Sequence, residues 1–127
     1  MLFRKKSVSS HLQVGADGED AAVKYLKKQG LKILERNVRI PGGEIDIIAR
    51  DRQFLVFVEV KTSTQTAFGN PENWVTPRKQ KQLGRLAAAY LQRQKFEDQD
   101  CRFDVVGVRI FNGNKPVVTH LENAFVL

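Results

Sequence analysis

The sequence has little cysteine, little histidine and no long apolar segment, and each shortage excludes a class of protein. Cys101 is the only cysteine among 127 residues, which excludes an internal disulfide and a cysteine-based zinc cluster. His11 and His120 are isolated, with no nearby serine or cysteine that would suggest a catalytic triad. No membrane-spanning helix is expected, because no run reaches the roughly 18 apolar residues that such a helix needs. Walker-type and dinucleotide-binding glycine loops are also missing.

The charge of the chain is strongly basic. Lysine and arginine number 21 against 14 acidic residues, which gives a net charge of +7 and a pI near 9.8. Such an excess favours a polyanionic partner, of which nucleic acid is the commonest. The basic N-terminus lacks the apolar core of a secretory signal. We therefore expect a cytoplasmic protein with a disordered basic arm at residues 1–13 and a single domain at residues 14–127.

The order of helical and extended segments predicts an α/β fold. Apolar periodicity and turn residues indicate α-β-β-β-α-β-β, which implies a mixed sheet flanked by helices. The predicted helices and strands lie at residues 14–29, 31–40, 44–49, 54–61, 77–94, 102–110 and from 117 onward.

Two acidic residues and a lysine interrupt segments that otherwise have the composition of buried strands. Asp46 lies within residues 44–49, and residues 54–61 are apolar at nearly every position before Glu59 and Lys61. An ionised carboxylate in such a place is costly unless it is paired or binds a metal. The sequence therefore predicts either a metal site or a buried salt-bridge network in which the lysine neutralises one acid.

The hairpin formed by these segments determines which side chains meet. We expect Asp51 and Arg52 to form a two-residue turn, which would pair Ala49 with Phe54. The two acids would then be diagonal neighbours with backbones roughly 7–8 Å apart. Because side chains alternate along a strand, the residues expected on one face are Glu44, Asp46, Phe57, Glu59 and Lys61.

Nearby residues bear on the choice between these explanations. Gly42 and Gly43 precede Asp46 and would let a backbone or a ligand approach closely, which favours the metal site. Glu19 lies on the first helix, where the helix dipole alone would explain an acidic residue. Asp104 also lies in an apolar strand, and we expect it to be structural and paired with an arginine.

Basic residues crowd the start of the second helix, where the dipole would prefer acids. Thr76 and Pro77 are typical of an N-cap and a first helical residue. The bases that follow suggest phosphate contacts, although a solvated polar face is the alternative; they are Arg78, Lys79, Lys81 and Arg85. The long polar segment at residues 62–75 contains Phe68 and Trp74, which we expect to contribute to the same nucleic-acid-binding surface.

Asp46 followed by Glu59-Val60-Lys61 at the end of the next strand resembles the PD-(D/E)xK nuclease signature, in the shortened form of archaeal Holliday-junction resolvases. A glutamate on the first helix of those proteins matches Glu19. The similarity to the bacterial YraN family of uncharacterised, predicted endonucleases is closer still. It rests on the segments Gly18-Glu19, Gly43-Glu44-Ile45-Asp46, Phe57-Val58-Glu59-Val60-Lys61, Phe68-Gly69-Asn70-Pro71 and Val75-Thr76-Pro77-Arg78-Lys79-Gln80.

The resemblance implies a restriction-endonuclease-like core and metal-dependent cleavage of phosphodiester bonds. The sequence departs from the superfamily pattern at two positions. Ile45 stands where the proline of the signature would be, and Leu86 follows Gln82 by four residues, so the Gln-x-x-x-Tyr motif is absent. These differences exclude the recombination-exonuclease subgroup rather than nucleases in general.

The resulting hypothesis assigns a role to each candidate residue. Asp46, Glu59 and the carbonyl group of Val60 would bind Mg²⁺ or Mn²⁺, and Glu19 would hold a second metal or its water ligands. Lys61 would orient or deprotonate the attacking water.

The expected partner is DNA, in a branched or single-stranded form. The other candidate partners are a second copy of the chain, in a homodimer, and a DNA-processing protein. The alternative hypothesis, from another class, is a nucleic-acid-binding module that keeps the nuclease fold without turnover and serves a DNA-processing complex.

Overall fold

The computed structural model describes residues 2–64, 69–111 and 115–126, without the side chains of residues 2–13 and Glu72. The predicted order α-β-β-β-α-β-β is confirmed, with one short 3-10 turn at Pro71–Asn73. No helix in the described part of the chain is long and apolar enough to cross a membrane. The helices and strands are α1 (Leu2–Lys28), β1 (Lys32–Ile40), β2 (Gly43–Asp51), β3 (Phe54–Ser63), α2 (Pro77–Arg93), β4 (Cys101–Arg109) and β5 (Val117–Leu121).

The five strands form one sheet in chain order, and each helix covers one face of it. Strands β3 and β4 are parallel because α2 connects them, whereas the other neighbouring strands are antiparallel. Helix α1 packs on a cluster that includes Val56 and Val106. Helix α2 packs on a cluster that includes Phe57 and Val105. The nearly continuous apolar sequence of β3 follows from this burial on both faces.

Two features differ most from the sequence prediction, whereas the other element boundaries shift by at most two residues. Helix α1 begins at Leu2, so the segment expected as a disordered arm continues the helix instead; no proline interrupts the chain there. The hairpin turn is formed by Arg52 and Gln53, and Ala49 pairs with Val56 rather than with Phe54. Arg52 takes up the positive φ of 55° that a tight hairpin turn requires. This shift of two residues preserves the face to which each side chain points.

The turn before β2 positions the start of that strand against α2. Gly42 has a φ of 101°, a conformation that favours glycine. Its carbonyl oxygen accepts a hydrogen bond of 2.9 Å from the side-chain amide of Gln82. A Cβ atom on Gly43 would lie 2.8 Å from that same amide nitrogen. The close approach expected at these glycines is therefore made by helix α2.

Asp104 is fully buried in β4 and belongs to a hydrogen-bond network that reaches β5 directly and β2 through Arg102. Its carboxylate accepts bonds from Arg102 Nε (2.9 Å) and Nη2 (3.0 Å), His120 Nε2 (2.8 Å) and the Asn123 backbone N–H (3.0 Å). Arg102 also donates to Asp51 at the end of β2. The expected structural role and arginine partner of Asp104 are confirmed. Burial raises its pKa, but the bonds from His120, Arg102 and Asn123 outweigh burial and hold the pKa below its usual value.

We predict that Asp104→Asn lowers the free energy of unfolding at pH 7 by about 3–5 kcal/mol, because the buried Arg102 would lose one of its two ionised partners and keep only Asp51. The folded-state pKa of Asp104 is depressed, so its contribution is present above the unfolded-state pKa and is lost as pH falls through the folded-state pKa. Urea unfolding at several pH values measures both effects. The exposed Asp98→Asn is the matched control, and an equal loss in the two variants would contradict the prediction.

Candidate functional site

Asp46 lies where strands β2 and β3 stop pairing. The ladder between them ends at Ile47 and Val58, one residue from Asp46 and Glu59. Beyond that point the backbone N–H of Val60 donates a 2.8 Å hydrogen bond to Asp46 Oδ2. The side-chain carboxylate thus replaces a backbone carbonyl as the partner of β3. Asp46 is thereby fixed at the open end of the hairpin.

The regular alternation of side chains is interrupted at Asp46. Ile45 belongs to the core cluster beneath α2, and Ile47 belongs to the cluster beneath α1. Residues two positions apart would share a face in a regular strand. The Asp46 carboxylate consequently lies between the two faces of the sheet. There its pKa is raised by the charge of Glu19 on α1 and lowered by the charge of Lys79 on α2. The expectation that Asp46 simply shares the face of Phe57 therefore needs this correction.

Glu59 brings a second carboxyl group into contact with Asp46. The two acids interact through a hydrogen bond and through like charge, and Lys79 Nζ lies 3.6 Å from Glu59 Oε2. Burial, followed by the charge of Asp46, raises the pKa of Glu59 to about 7. Burial also raises the pKa of Asp46, even though the Val60 N–H opposes the shift. The positive charge near the pair is therefore too small to compensate two ionised carboxylates fully.

Glu19 lines a pocket together with Asp46 but already has partners on β1. Its carboxylate accepts hydrogen bonds from Arg36 Nε at 3.1 Å and from Asn37 Nδ2 at 2.9 Å. Its charge contributes to the raised pKa of Asp46. Arg36 and Asn37 were not predicted from the sequence to belong to the site. The available signal was an asparagine within a strand, a residue type that tolerates the positive φ of 52° observed here.

The pocket has a volume of about 430 Å³ and lies between α1 and the separating strands. Helix α1 can approach β3 closely because residue 18 is glycine, where a Cβ atom would lie 2.1 Å from Thr62 Oγ1. In contrast, a Cβ atom on Gly15 would meet nothing within 4 Å. The pocket is lined by Gly15, Ala16, Glu19, Arg36, Asn37, Asp46, Val60 and Thr62.

The structure brings the acids of the predicted site together more closely than the lysine. Lys61 is exposed at the end of β3, and among the described residues it forms no ion pair with Asp46 or Glu59. Lys79 on α2 forms the contact with Glu59 instead. The described residues also contain no group of three or more histidine, cysteine, aspartate or glutamate side chains arranged to hold a metal ion. Any cation here would depend on two carboxylates, with other oxygen ligands completing its coordination.

The basic start of α2 lies beside this pair. Thr76 caps the helix as predicted, because its side chain accepts a hydrogen bond from the Lys79 N–H at 3.2 Å. Arg78 and Lys81 are exposed, as is Arg85 one turn later. These side chains can reach an anion in solvent without disturbing the core.

Of the two aromatic residues predicted to contribute to the nucleic-acid-binding surface, only Trp74 lies in the described part of the chain. Trp74 is only 8% exposed and belongs to the core cluster beneath α2. A Cβ atom on Gly107 would lie 2.4 Å from its ring, so the indole packs directly on β4. Burial of this apolar ring in the core replaces the expected contact with nucleic acid. Phe68 lies outside the described residues.

The fold and the paired carboxylates define an α/β protein with an acidic site at the open end of its central hairpin. The model of the uncharacterised protein family UPF0102 matches residues 18–108. A UPF0102 protein of Trichlorobacter lovleyi is 47% identical over 115 residues, which cover 90% of this chain and 91% of that protein. One from Geobacter sulfurreducens is 45% identical over 114 residues, covering 90% and 89%. One from Nocardia farcinica is 44% identical over 112 residues, covering 88% of each.

The chain therefore belongs to the UPF0102 family. This is the YraN family indicated by the sequence motifs, and that resemblance is confirmed. The match spans Glu19, the β2–β3 hairpin, the capped helix α2 and most of β4.

We predict that Asp46→Asn lowers the pKa of Glu59 from about 7 toward 4.5, because it removes the like charge that is the largest cause after burial. The ¹³C chemical shift of the Glu59 carboxyl group, followed by NMR across this pH range, measures the change. Glu44→Gln is the control, since Glu44 acts on Asp46 rather than on Glu59. An unchanged Glu59 pKa in Asp46→Asn would contradict the coupling.

The same coupling predicts how stability depends on pH. The folded-state pKa of Glu59 is raised, so between about pH 4.5 and 7 the native protein binds more protons than the unfolded chain. Stability should therefore fall as pH rises through this range, by on the order of 1–3 kcal/mol from this group. Asp46→Asn should flatten that fall, and urea unfolding at several pH values measures it. Equal slopes in both proteins would be the contrary result.

Proposed function

We propose that the protein is a metal-dependent endonuclease that hydrolyses DNA phosphodiester bonds, with branched or single-stranded DNA as candidate substrates. The observation that carries this proposal is the Asp46–Glu59 pair beside a pocket and a basic helix start, in which burial raises both pKa values and the charge of Asp46 raises that of Glu59 further. Such under-compensated carboxylates are the ligand type that Mg²⁺ and Mn²⁺ prefer. Membership of UPF0102 supports the assignment through the nuclease-like motifs of that family.

The residues around the pair fit a hard divalent cation. Asp46 and Glu59 would supply two carboxylates, and the Val60 carbonyl would add a third protein oxygen. A bound cation would neutralise the repulsion between the acids, polarise the scissile phosphate and lower the pKa of a water molecule. Glu19 remains the candidate for a second cation or its water ligands. Hydrogen bonds from Arg36 and Asn37 would fix its orientation.

The basic residues would bind and orient the substrate. Lys61, exposed on β3, would orient the attacking water and offset charge on the phosphate as an ammonium group, or deprotonate that water as the neutral amine. Arg78 and Lys81 would bind backbone phosphates of the strand near the scissile bond, because both are exposed at the start of α2. Contacts of this kind position the strand without reading its sequence.

The second candidate function is a nucleic-acid-binding module without turnover that serves a DNA-processing protein. One observation favours it, namely that the lysine of the signature makes no ion pair with either acid among the described residues. Basic residues on α2 would then bind nucleic acid while the acids have a structural role.

We expect the protein to cleave at least one DNA in a panel of branched, nicked and single-stranded molecules with Mg²⁺ or Mn²⁺. Asp46→Asn and Glu59→Gln should each reduce the rate on the order of 100-fold or more, because each removes a cation ligand. Glu44→Gln is the matched acid on the same hairpin and should stay within about threefold of the wild type. Tight DNA binding without cleavage of any substrate would favour the binding module instead.

We predict that Arg78→Ala with Lys81→Ala flattens the slope of log affinity against log salt by roughly one to two units, since about 0.9 unit is lost per phosphate contact. The loss of affinity should be similar for all sequences. Lys24→Ala with Lys27→Ala removes the same charge from exposed positions on α1 and should leave most of the slope intact. Equal slopes in the two double variants would mean that the start of α2 is not the binding surface.

A further inference from the structure

Lys79 is the one lysine among the described residues that forms an ion pair with the candidate cation ligands. Its Nζ atom lies 3.6 Å from Glu59 Oε2, with 37% of the Lys79 side chain and 18% of the Glu59 side chain exposed. Its charge lowers the pKa of both Glu59 and Asp46. The ammonium group therefore offsets part of the repulsion between the two acids.

The position of Lys79 on α2 is unfavourable for the helix itself. It lies in the first turn, where its backbone N–H donates to Thr76, and no acidic residue accompanies it there. A cation at this end of a helix is opposed by the helix dipole. The contact with Glu59 therefore offsets part of this unfavourable interaction.

Charge balance indicates what a divalent cation would do to this contact. The two ionised carboxylates present two negative charges to the ammonium group, which is attracted to them. A divalent cation between the carboxylates would cancel those two charges, and the lysine would then lose its net attraction to the pair. Because the Lys79 side chain is partly exposed on a flexible stem, it can turn toward solvent beside Arg78 and Lys81.

We propose that Lys79 is an internal counter-ion that holds the Asp46–Glu59 pair together until a divalent cation binds, and that it then moves to a backbone phosphate of the DNA. This inference rests on the cation site of the proposed function. It makes Lys79 a positioning residue whose contribution to DNA binding depends on the cation. Cation binding would thereby prepare the surface for the strand.

The first test is DNA affinity with and without a cation, using Ca²⁺ in place of Mg²⁺ to limit cleavage and EDTA as the cation-free condition. Lys79→Gln should change affinity less than about twofold in EDTA, because the wild-type lysine is then engaged with Glu59. In Ca²⁺ it should weaken affinity roughly three- to fivefold, as expected for the loss of one charged contact. Lys81→Gln, on the same helix, should weaken affinity by the same factor in both conditions. An equal loss for Lys79→Gln in both conditions would overturn the proposal.

The second test is cation affinity, measured by calorimetry with Mg²⁺ at pH 8.5, above the Glu59 pKa of about 7. Lys79→Gln should bind Mg²⁺ about three- to fivefold more tightly than the wild type, because no ion pair has to be broken. Lys79→Arg should restore wild-type affinity, and Lys81→Gln should match the wild type. A Lys79→Gln variant with unchanged or weaker Mg²⁺ binding would contradict the counter-ion role.

Asp46→Asn separates failure of this inference from failure of the cation site. If Asp46→Asn abolishes Mg²⁺ binding while Lys79→Gln behaves like Lys81→Gln, the counter-ion role alone is wrong. If Asp46→Asn binds Mg²⁺ as well as the wild type does, the proposed cation site is wrong and the counter-ion role is wrong with it.

Discussion

Repulsion between two carboxyl groups at the open end of the β2–β3 hairpin is the constraint on which the site depends. Asp46 is fixed by the Val60 N–H, so its carboxylate cannot withdraw from Glu59 without breaking a hydrogen bond to β3. The charged groups around the pair compensate this repulsion only in part. Helix α2 brings one ammonium group, whereas Glu19 on α1 adds a further negative charge nearby.

The carboxylate of Asp104 has more compensating groups around it than the Asp46–Glu59 pair has. Both sites bury carboxylates, but Asp104 is surrounded by a guanidinium group, an imidazole and a backbone N–H, and its pKa lies below the usual value. Glu59 has one lysine at 3.6 Å and a neighbouring acid, and its pKa rises to about 7. The same chain thus contains one acid whose charge is fully compensated and a pair whose charges are compensated only in part. This contrast within one protein favours a functional use of the pair.

Local patterns in the sequence predicted the order of the elements, the cap at Thr76 and the structural role of Asp104. Even with a turn misplaced by one residue, the faces of the hairpin followed, because a shift of two in pairing keeps the alternation. The position of Asp46 between the faces was not predictable, since it depends on where two strands separate. Nor were the burial of Trp74 on Gly107 and the contact of Lys79 with Glu59, because both depend on the tertiary placement of α2.

The hydrogen bond from Val60 to Asp46 has a consequence for the thermodynamics of ligand binding. A side chain that already serves as a partner of the β-ladder has lost its rotamer freedom during folding. A ligand arriving at this carboxylate therefore meets a preorganised group and does not have to order it. Selectivity at Asp46 would then come mainly from the size and dehydration of the ligand, because the geometry of the acceptor is set by the sheet.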